Sequence, residues 1–299
     1  MLKRALLTGA TGYLGSELVK YLLRQQVQVS IIVRPHSDLS ILQNELAHIK
    51  VFVDQQDHDA LVAFIKAEAP EVAFHLASLF IVEHQPVQVT ALIEANVLFS
   101  TRLCEAMRAA GVKRLVNTGT SWQHYQNTEY KPVNLYAATK QAFYDILCYY
   151  VDAHEFQVIN LELFDTYGPL DRRKKLIQIL LKHINNPTPL EMSPGDQILD
   201  LLHVDDVCEA YHCAAKQLQA SYVACFESYM LGTEQPVTLK ALVALLQKLA
   251  VPRKLLVNFG GRSYRNREVM ELWQKGKQLP NWRPRVSLYE GLKNLVGQA

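Results

Sequence analysis

The chain has 299 residues, of which 49% are hydrophobic and 20% charged, proportions typical of a folded globular protein and not of a disordered one. A net charge of +2 gives no reason to expect nucleic acid or an anionic membrane as a partner. Because no apolar run is long enough to span a bilayer and the N-terminus lacks the apolar core of a signal peptide, we expect a soluble, cytoplasmic protein.

A glycine-rich turn, TGATGYLG at residues 8–15, separates the first predicted strand, residues 5–7, from a helical pattern at residues 16–24. Glycine permits positive φ and lets the backbone approach an anion, and a helix N-terminus offers free N–H groups and a favourable dipole. The turn therefore predicts a site for the pyrophosphate of a dinucleotide; an ordinary glycine-rich β–α turn is the alternative. The predicted contacts are Gly9, Thr11, Gly12, Tyr13, Leu14 and Gly15.

The second predicted strand, residues 27–33, ends at Arg34. In dinucleotide-binding folds an acidic side chain at this point accepts hydrogen bonds from the ribose, whereas a basic one accommodates a 2′-phosphate. Ser37 is a further donor, and no carboxylate occurs before Asp38. We therefore expect NADP(H) in preference to NAD(H). The alternative is an exposed arginine, with Asp38 free to reach the ribose.

Two further strands are predicted at residues 49–54 and 72–78, with a helical pattern at residues 61–67 between them. Ligands of open α/β sheets bind at the carboxyl ends of the strands. The cofactor is accordingly expected beside Leu76, Ala77 and Ser78. His75, alone in an apolar strand, is interpreted as a core residue and not as a metal ligand or a catalyst.

Polar residues follow the fifth predicted strand, residues 114–117, which comes after a long predicted helix at residues 86–110. A helical pattern at residues 135–154 then carries Tyr136 and Lys140, which share one helix face at a separation of four residues. Thr120 lies at the end of the strand, where its hydroxyl is placed to donate to or accept from the same substrate oxygen as the phenol.

The tyrosine, lysine and threonine form the predicted catalytic set. A free phenol, with a pKa near ~10, is a poor acid-base catalyst at neutral pH until a nearby cation stabilises its phenolate. Tyr136 is therefore the expected proton donor or acceptor, and Lys140 the cation, which also holds the nicotinamide ribose. Tyr289 and Lys293 repeat the spacing near the C-terminus, so order and setting, not spacing, identify the first pair.

The five cysteines are scattered and lack the spacing of a zinc site, which predicts buried, reduced thiols. No metal is expected. Further helical patterns occupy residues 176–184 and 207–216, and Asp205 suits the N-terminal cap of the second.

Several longer motifs of the chain resemble those of a known protein family. The segment LFDTYGP at residues 163–169 is similar to an R-x-x-N-x-Y-G-P motif, HVDDV at residues 203–207 is similar to a motif of the same wording, and residues 282–292 match W-x-P-x-x-S-L-x-E-G-L. With the glycine turn and Y-x-x-x-K, these resemble the extended branch of the short-chain dehydrogenase/reductase family, also described as the NAD-dependent epimerase/dehydratase family.

The resemblance implies an α/β fold: a doubly wound parallel sheet of Rossmann type with a smaller α/β substrate-binding region. Residues 1–164 would form the dinucleotide-binding domain, and residues 165–299 mainly the substrate-binding region, with some segments returning to the first domain. It also implies a homodimer built on the helices at residues 86–110 and 135–154.

The same resemblance assigns further roles. Asp54, with Gln55 beside it, would lie next to the adenine, and Asn96 would hold the loops around the cofactor. His203, Asp205 and Asp206 would cap a helix and anchor the substrate region, in place of a metal site.

Ser121 and Trp122 stand where dehydratases of the family carry Asp and Glu, so removal of water is not expected. The segments NTGTSW at residues 117–122 and LFDTYGP at residues 163–169 also resemble the branch of CDP-abequose and CDP-paratose synthases. These are 4-ketoreductases that make dideoxyhexoses for surface polysaccharide such as the O-antigen of lipopolysaccharide. With Arg34, this favours an NADPH-dependent nucleotide-sugar 4-ketoreductase. An NAD-retaining nucleotide-sugar epimerase and a non-enzymatic NADP(H)-sensing protein are the alternatives.

The substrate is expected to be a nucleotide sugar. The family usually carries an arginine where this chain has Leu199, so one phosphate ligand is missing, and the charged stretch at residues 171–175 is either a solvated helix start or a phosphate contact. Arginine suits phosphate because its fork pairs with two oxygens. The expected substrate contacts are Ser121, Trp122, Asp165, Arg265 and Arg267.

Overall fold

The computed structural model describes residues 2–220 and 223–298, and within these ranges seven strands form one parallel sheet in the order β11-β6-β5-β4-β1-β2-β3. The strands are β1 (Arg4–Thr8), β2 (Gln28–Val33), β3 (Ile49–Val53), β4 (Val72–His75), β5 (Arg114–Thr120), β6 (Gln157–Leu163), β7 (Asp165–Tyr167), β8 (Leu190–Met192), β9 (Ile198–Leu199), β10 (Leu201–His203), β11 (Cys225–Leu231), β12 (Val237–Thr238) and β13 (Val257–Phe259).

Helices cover both faces of this sheet, which confirms the doubly wound α/β fold. The α-helices of the described residues, in both regions, are α1 (Tyr13–Arg24), α2 (His58–Glu68), α3 (Val89–Ile93), α4 (Phe99–Ala110), α5 (Leu135–His154), α6 (Leu176–Lys182), α7 (Val204–Ala220), α8 (Leu239–Ala250) and α9 (Leu288–Gln298). One core contains the apolar sides of α1 and α7, and the other contains those of α2, α4 and α5. Strands covered on both faces become continuously apolar, which explains the short hydrophobic runs in the sequence.

Several element boundaries differ from the sequence-based prediction. Helix α1 begins at Tyr13, directly after the glycine turn, and not at residue 16. Strand β4 ends at His75, so the next residues belong to a loop, whereas β5 continues to Thr120. The two strand ends differ because the parallel ladder, not composition, decides where a strand ends.

The long predicted helix at residues 86–110 is one helical run with an interruption. After a short turn at Pro86–Gln88 and helix α3, a π-helical turn at Glu94–Leu98 leads into α4. A π turn inserts a residue into the helix and is frequent at functional sites. Here it carries Asn96, which is buried.

The smaller region contains two-stranded sheets: β7 with β10, β8 with β13, and β9 with β12. Helices α6, α8 and α9 enclose its core. Strand β11 returns to the large sheet beside β6, and α7 packs on α1 through the edge-on rings of Tyr21 and His212. Within the described ranges, no helix is both long and apolar enough to cross a bilayer.

Two predictions about α7 and the cysteines need correction. The helix begins at Val204, so Asp205 lies inside its first turn and is not the cap. Its carboxylate still faces the positive end of the helix dipole. Cys104 and Cys208 are buried as predicted, but Cys148 is exposed on α5.

Candidate active site

The glycine turn after β1 has the geometry of an anion cradle. Gly9 has a φ of +77°, and its carbonyl accepts from the Gly12 N–H at 3.0 Å. A Cβ on Gly9 would lie 2.5 Å from the backbone nitrogen of Ala77, and one on Gly15 would overlap the Gly9 carbonyl. Only glycine fits at these two positions, because the turn packs directly against the β4 end and the helix.

The N-terminus of α1 is open to a ligand. Gly12 is its N-cap residue and provides no side-chain hydrogen bond, so the first-turn N–H groups have no side-chain partner there. A helix start of this kind binds phosphate through N–H groups and the dipole. The turn therefore fits the pyrophosphate of a dinucleotide. The Tyr13 hydroxyl, by contrast, donates to the Pro169 carbonyl at 3.1 Å, which ties the turn to the smaller region.

A cleft of about 250 Å³ runs from this turn to the β5 end. It brings together most of the predicted cofactor and catalytic residues. They are Gly9, Gly12, Tyr13, Leu14, Gly15, Leu76, Ser78, Thr120, Ser121, Trp122, Tyr136, Lys140 and Asp165. The cleft thus joins a phosphate cradle to a set of proton-transfer groups. Thr11 and Ala77 flank it without lining it.

Tyr136 and Lys140 lie at the floor of the cleft, 8% and 4% exposed. Burial raises the pKa of the phenol to about 12, and a hydrogen bond from Ser78 opposes that rise. Burial also lowers the pKa of Lys140 to about 8. Burial has the larger effect, so the pKa of the phenol lies above its ordinary value. Tyr136 is therefore a protonated phenol at neutral pH, the state of a proton donor.

Thr120 ends β5 at the other side of the phenol. Its hydroxyl oxygen accepts from the Trp122 N–H at 3.3 Å, and its own N–H donates to Gln123 at 3.1 Å. These bonds fix the turn Ser121–Gln123 that follows the strand. The threonine is thus held at the cleft by its backbone, with its hydroxyl available to a substrate oxygen.

Asn96 lies outside the cleft and forms hydrogen bonds with two segments that line it. Its side-chain carbonyl accepts from Ser78 and from the Leu79 N–H at 3.0 and 2.7 Å, and its amide donates to Thr139 at 2.9 Å. Thr139 is on α5 and donates to the Tyr136 carbonyl. Asn96 does not line the cleft; it joins the β4 loop to the catalytic helix.

His75 is a core residue. Its ring nitrogens contact the hydroxyls of Thr8 and Ser100 at 2.7 and 2.8 Å, and it is fully buried. Burial, with a smaller effect of the Lys140 charge, lowers the pKa of His75 to about 3. The ring is therefore neutral and holds β1, β4 and α4 together. In the described part of the chain, no three His, Cys, Asp or Glu side chains are grouped to hold a metal.

The end of β2 carries an arginine and a serine beside an acidic turn residue. Arg34 is exposed, and Ser37 is half-buried beside it. The Asp38 carboxylate accepts from the N–H and the hydroxyl of Ser40, each at 2.9 Å, and these bonds lower its pKa. The Asp38 carboxylate is therefore hydrogen-bonded within its own turn.

Asp54 follows β3 and is buried. It faces the Arg102 guanidinium at 3.4 Å and accepts from the Gln56 N–H at 2.8 Å, while Gln55 beside it is exposed. Neither residue lines the cleft described above. Their adenine contact stays a prediction.

The substrate side of the cleft contains residues that the sequence did not single out. Phe80 packs edge-on against Tyr136 with ring centroids 4.9 Å apart, and the Lys175 amine lies 3.9 Å from the Phe80 ring. Lys175 also faces Asp165 at 3.8 Å, and burial lowers its pKa. Arg173 packs over the Tyr13 ring. Of the charged stretch at residues 171–175, two cations thus line the cleft.

Arg265 and Arg267 differ in their surroundings. Arg265 is paired with Glu268 at 2.7 Å and lies over the Trp122 ring, in the wall of a cavity next to the cleft. Arg267 donates to the Pro132 carbonyl at 2.7 Å and covers the Tyr125 ring. It lines neither the cleft nor that cavity, so its contacts hold the loop after β5. Arg265 keeps its place as a candidate phosphate ligand.

The HVDDV segment anchors the C-terminal tail. Asp206 accepts from the N–H groups of Arg285 and Val286, both at 3.0 Å, and its carbonyl accepts from the Trp282 ring N–H at 3.0 Å. His203 faces Asp205 at 3.5 Å. The HVDDV segment therefore has a structural role, since it joins the start of α7 to the C-terminal tail.

Comparison with known proteins gives the same family from sequence and from structure. CDP-abequose synthase of Salmonella muenchen is 25% identical over 98% of this chain and 97% of its own length. UDP-glucuronate 4-epimerase of Thermodesulfobacterium geofontis is 24% identical over 97% of this chain and 94% of its own. The solved structure of MoeE5 in complex with UDP-glucose and NAD is 25% identical, with a TM-score of 0.82 and coverage of 98% and 97%.

UDP-glucose 4-epimerase of Thermotoga maritima, solved with UDP-glucose, shares the fold with a TM-score of 0.83 at 20% identity, and the match covers 98% of this chain and 97% of that one. The model of the NAD dependent epimerase/dehydratase family matches residues 5–225, which include the glycine turn, the predicted catalytic set and most of the central sheet. The chain is therefore a member of the NAD dependent epimerase/dehydratase family, the extended short-chain dehydrogenase/reductase type.

Proposed function

We propose that the protein uses NADPH to reduce the C4 keto group of a nucleotide-linked deoxyhexose, a CDP- or dTDP-4-keto-deoxy sugar, in the biosynthesis of surface polysaccharide. The observation that carries the proposal is the joint placement of Thr120, Tyr136 and Lys140 in a cleft that begins at an anion cradle. When bound, the dinucleotide supplies the hydride, and the protein supplies orientation and the proton.

The protonation state of the site suits reduction. Tyr136, with its pKa raised to about 12 by burial, carries the proton that the forming alkoxide needs. The Ser78 hydroxyl, which donates to the Asn96 side-chain carbonyl, lies within hydrogen-bonding reach of the phenol, and this contact lowers the pKa of Tyr136 against the larger effect of burial. Thr120 would hold the same substrate oxygen. Ser121 and Trp122 provide no carboxylate for elimination of water, which supports a reductase over a dehydratase.

NADP(H) is the proposed cofactor because of the β2 end. Arg34 is exposed there, and the neighbouring carboxylate, Asp38, is engaged by Ser40. Arg34 could form an ion pair with a 2′-phosphate. The hydroxyl of an unphosphorylated ribose would need an acidic acceptor, and the carboxylate of that turn already accepts hydrogen bonds from Ser40.

Two groups of relatives bear on the reaction. Proteins named CDP-abequose synthase in Salmonella and Yersinia align with 89–98% of this chain, which supports a CDP-linked deoxysugar. Relatives named as 4-epimerases, and neighbours solved with NAD, favour the second candidate, an epimerase that retains NAD and returns the hydride.

The deciding experiment follows NADPH absorbance with CDP- and dTDP-linked 4-keto-6-deoxy and 3,6-dideoxy sugars, for wild type and Tyr136→Phe. Turnover with one sugar, reduced in the variant by about 10²–10⁴-fold, is the expected result, since proton transfer contributes that much. Tyr144→Phe, on the same helix, is the control and should keep activity.

Other outcomes select the alternatives. Cofactor that copurifies with the protein, no use of NADPH, and interconversion of C4 epimers detected by NMR would establish the epimerase. Tight NADP(H) binding without either reaction, and unaffected by Tyr136→Phe, would identify a sensing protein.

A further inference from the structure

The loop between β7 and α6, residues 168–175, packs on the glycine turn. The Tyr13 hydroxyl donates to the Pro169 carbonyl at 3.1 Å, and a Cβ on Gly168 would lie 2.5 Å from the same hydroxyl oxygen. The guanidinium carbon of Arg173 lies 4.7 Å from the centroid of the Tyr13 ring. Because Tyr13 is the first residue of α1, the smaller region places an arginine beside the anion cradle.

A buried carboxylate holds this arginine in one orientation. Asp171 is 7% exposed, and its two carboxylate oxygens accept from Nε and Nη2 of Arg173, each at 2.8 Å. Nη2 also donates to the Thr166 carbonyl at 3.1 Å. In the described part of the chain, the third guanidinium nitrogen, Nη1, has no hydrogen-bond partner, and the Arg173 side chain is 34% exposed. Arg173 is thus fixed by one edge of its guanidinium and keeps the N–H groups of Nη1 for a ligand.

The charges that line the cleft favour an anion. Among the described residues in its walls, the charged side chains are three cations, Lys140, Arg173 and Lys175, and one carboxylate, Asp165. Lys140 lies at the catalytic floor, and the Lys175 amine is 3.8 Å from the Asp165 carboxylate. Arg173 is the cation that contacts the glycine turn. An anion bound at that turn would therefore meet a guanidinium as well as the N–H groups of the helix start.

We propose that Arg173 is a ligand of the dinucleotide's pyrophosphate, in addition to the backbone N–H groups of the glycine turn and α1. Arginine suits this role because its planar fork pairs with phosphate oxygens. The inference deepens the proposed function and rests on its dinucleotide site, but not on a particular reaction. It makes the cofactor a contact between the two regions, since the cradle belongs to the first and Arg173 to the second.

The test is calorimetric binding to the full chain, with NADP⁺, ADP-ribose and CDP as probes. NADP⁺ and ADP-ribose share the pyrophosphate attached to adenosine, whereas CDP carries the diphosphate of the proposed substrate. Arg173→Gln should weaken the binding of both adenine probes about 10–100-fold, because charge-assisted hydrogen bonds to the pyrophosphate are lost. The affinity for CDP should change less than about threefold, because salt screens a charge that is not in contact.

Two further variants separate a lost ligand from a lost fold. Lys174→Gln removes an exposed neighbouring cation that does not line the cleft and should leave all three affinities unchanged. Asp171→Asn combined with Arg173→Gln removes the buried carboxylate together with its partner and should show the same loss as Arg173→Gln. The difference between wild type and variant should narrow at high salt, which a purely structural role of the loop would not produce. Far-ultraviolet circular dichroism checks the fold of each variant.

Unchanged affinity for ADP-ribose in both Arg173 variants would overturn the proposal, as would an equal loss at low and high salt. Loss of NADP⁺ affinity alone would place Arg173 at the 2′-phosphate, and loss of CDP affinity alone would place it at the substrate's diphosphate; either result also overturns the proposal. A wild type that binds neither adenine probe would overturn it together with the cofactor assignment. Failure of the proposed reaction alone is a different result, retained dinucleotide binding without NADPH oxidation.

Discussion

The pKa values of Tyr136 and Lys140 set the pH range in which we expect the site to work. The phenol of Tyr136, with a pKa of about 12, stays protonated throughout the neutral range, whereas Lys140, with a pKa of about 8, loses its charge as pH rises through that value. If the charge holds the nicotinamide ribose and stabilises the forming phenolate, kcat/KM for reduction should fall above about pH 8.

The measurement is a pH profile of kcat/KM, which reports the groups of the free enzyme. Lys140→Arg should move the descending limb to higher pH, because a guanidinium stays protonated. A limb at the same pH in wild type and variant would show that another group titrates. Lys174→Arg, at an exposed position next to the cleft, is the matched control.

Arg34 provides the test of cofactor choice. Arg34→Ala should raise KM for NADPH about 10–100-fold, since a charge-assisted contact to the 2′-phosphate is lost, and should change KM for NADH by less than about twofold. Steady-state kinetics with each cofactor measure this. Arg283→Ala removes an exposed arginine outside the cleft and should leave both values unchanged. Equal losses with both cofactors would contradict the assignment.

Some residues of the site could be predicted from the sequence and others could not. The glycine turn and the Tyr136–Lys140 pair are local motifs whose spacing survives folding, so they could be predicted. Phe80 and Leu272 belong to no such motif, and only the tertiary structure brings their segments to the cleft and its neighbouring cavity. Arg267 shows the reverse: it was expected among the substrate contacts, but its guanidinium packs on Tyr125 and Pro132.

At the scale of elements, the π turn at Glu94–Leu98 connects helix geometry with the site. It aims the buried Asn96 amide at both the β4 loop and α5. Asn96→Ala would leave the Leu79 N–H and carbonyl without these partners. We expect a loss of about 1–3 kcal/mol in the free energy of unfolding, and a lower kcat because Ser78 loses its support.

Urea unfolding followed by circular dichroism, together with NADPH oxidation, measures both effects. Asn294→Ala, on the exposed face of α9, should change neither. Loss of stability without loss of kcat would restrict Asn96 to a purely structural role.

Apolar runs and helical periodicity indicated the five strands β1 to β5 and their helices, because a parallel sheet buries its strands on both faces. The π turn was not predictable, since its residues have ordinary helical composition. Strand β11 was missed as well. It occupies an edge of the sheet beside β6, and its residues are only half-buried, so its hydrophobic pattern is weak.

At the scale of the whole molecule, the division at residues 164 and 165 remains our proposal, and β11 and α7 are the segments that return to the large sheet. Asp206 and the Trp282 ring join the tail to α7, and Tyr13 joins the glycine turn to Pro169. These contacts make the cleft a feature of the whole chain. Neither region alone contains both the cradle and the substrate side.

Exposed apolar side chains lie on the two helical segments that the family resemblance assigns to a dimer. Val87 is 86% exposed, Leu98 54% and Tyr149 57%, with Ile93 also exposed. Burying such side chains against a second copy would remove apolar surface from water, which favours association. We expect light scattering coupled to size-exclusion chromatography to show a homodimer for wild type. The double variant Leu98→Glu with Tyr149→Glu should be a monomer, because its dimer would bury two carboxylates from each protomer, four in all, at the symmetric contact. Leu170→Glu, at a still more exposed leucine (77%) outside these helices, should remain dimeric. A wild-type monomer at micromolar concentration would refute the dimer, whereas a dimer that survives both charged substitutions would place its interface elsewhere on the molecule.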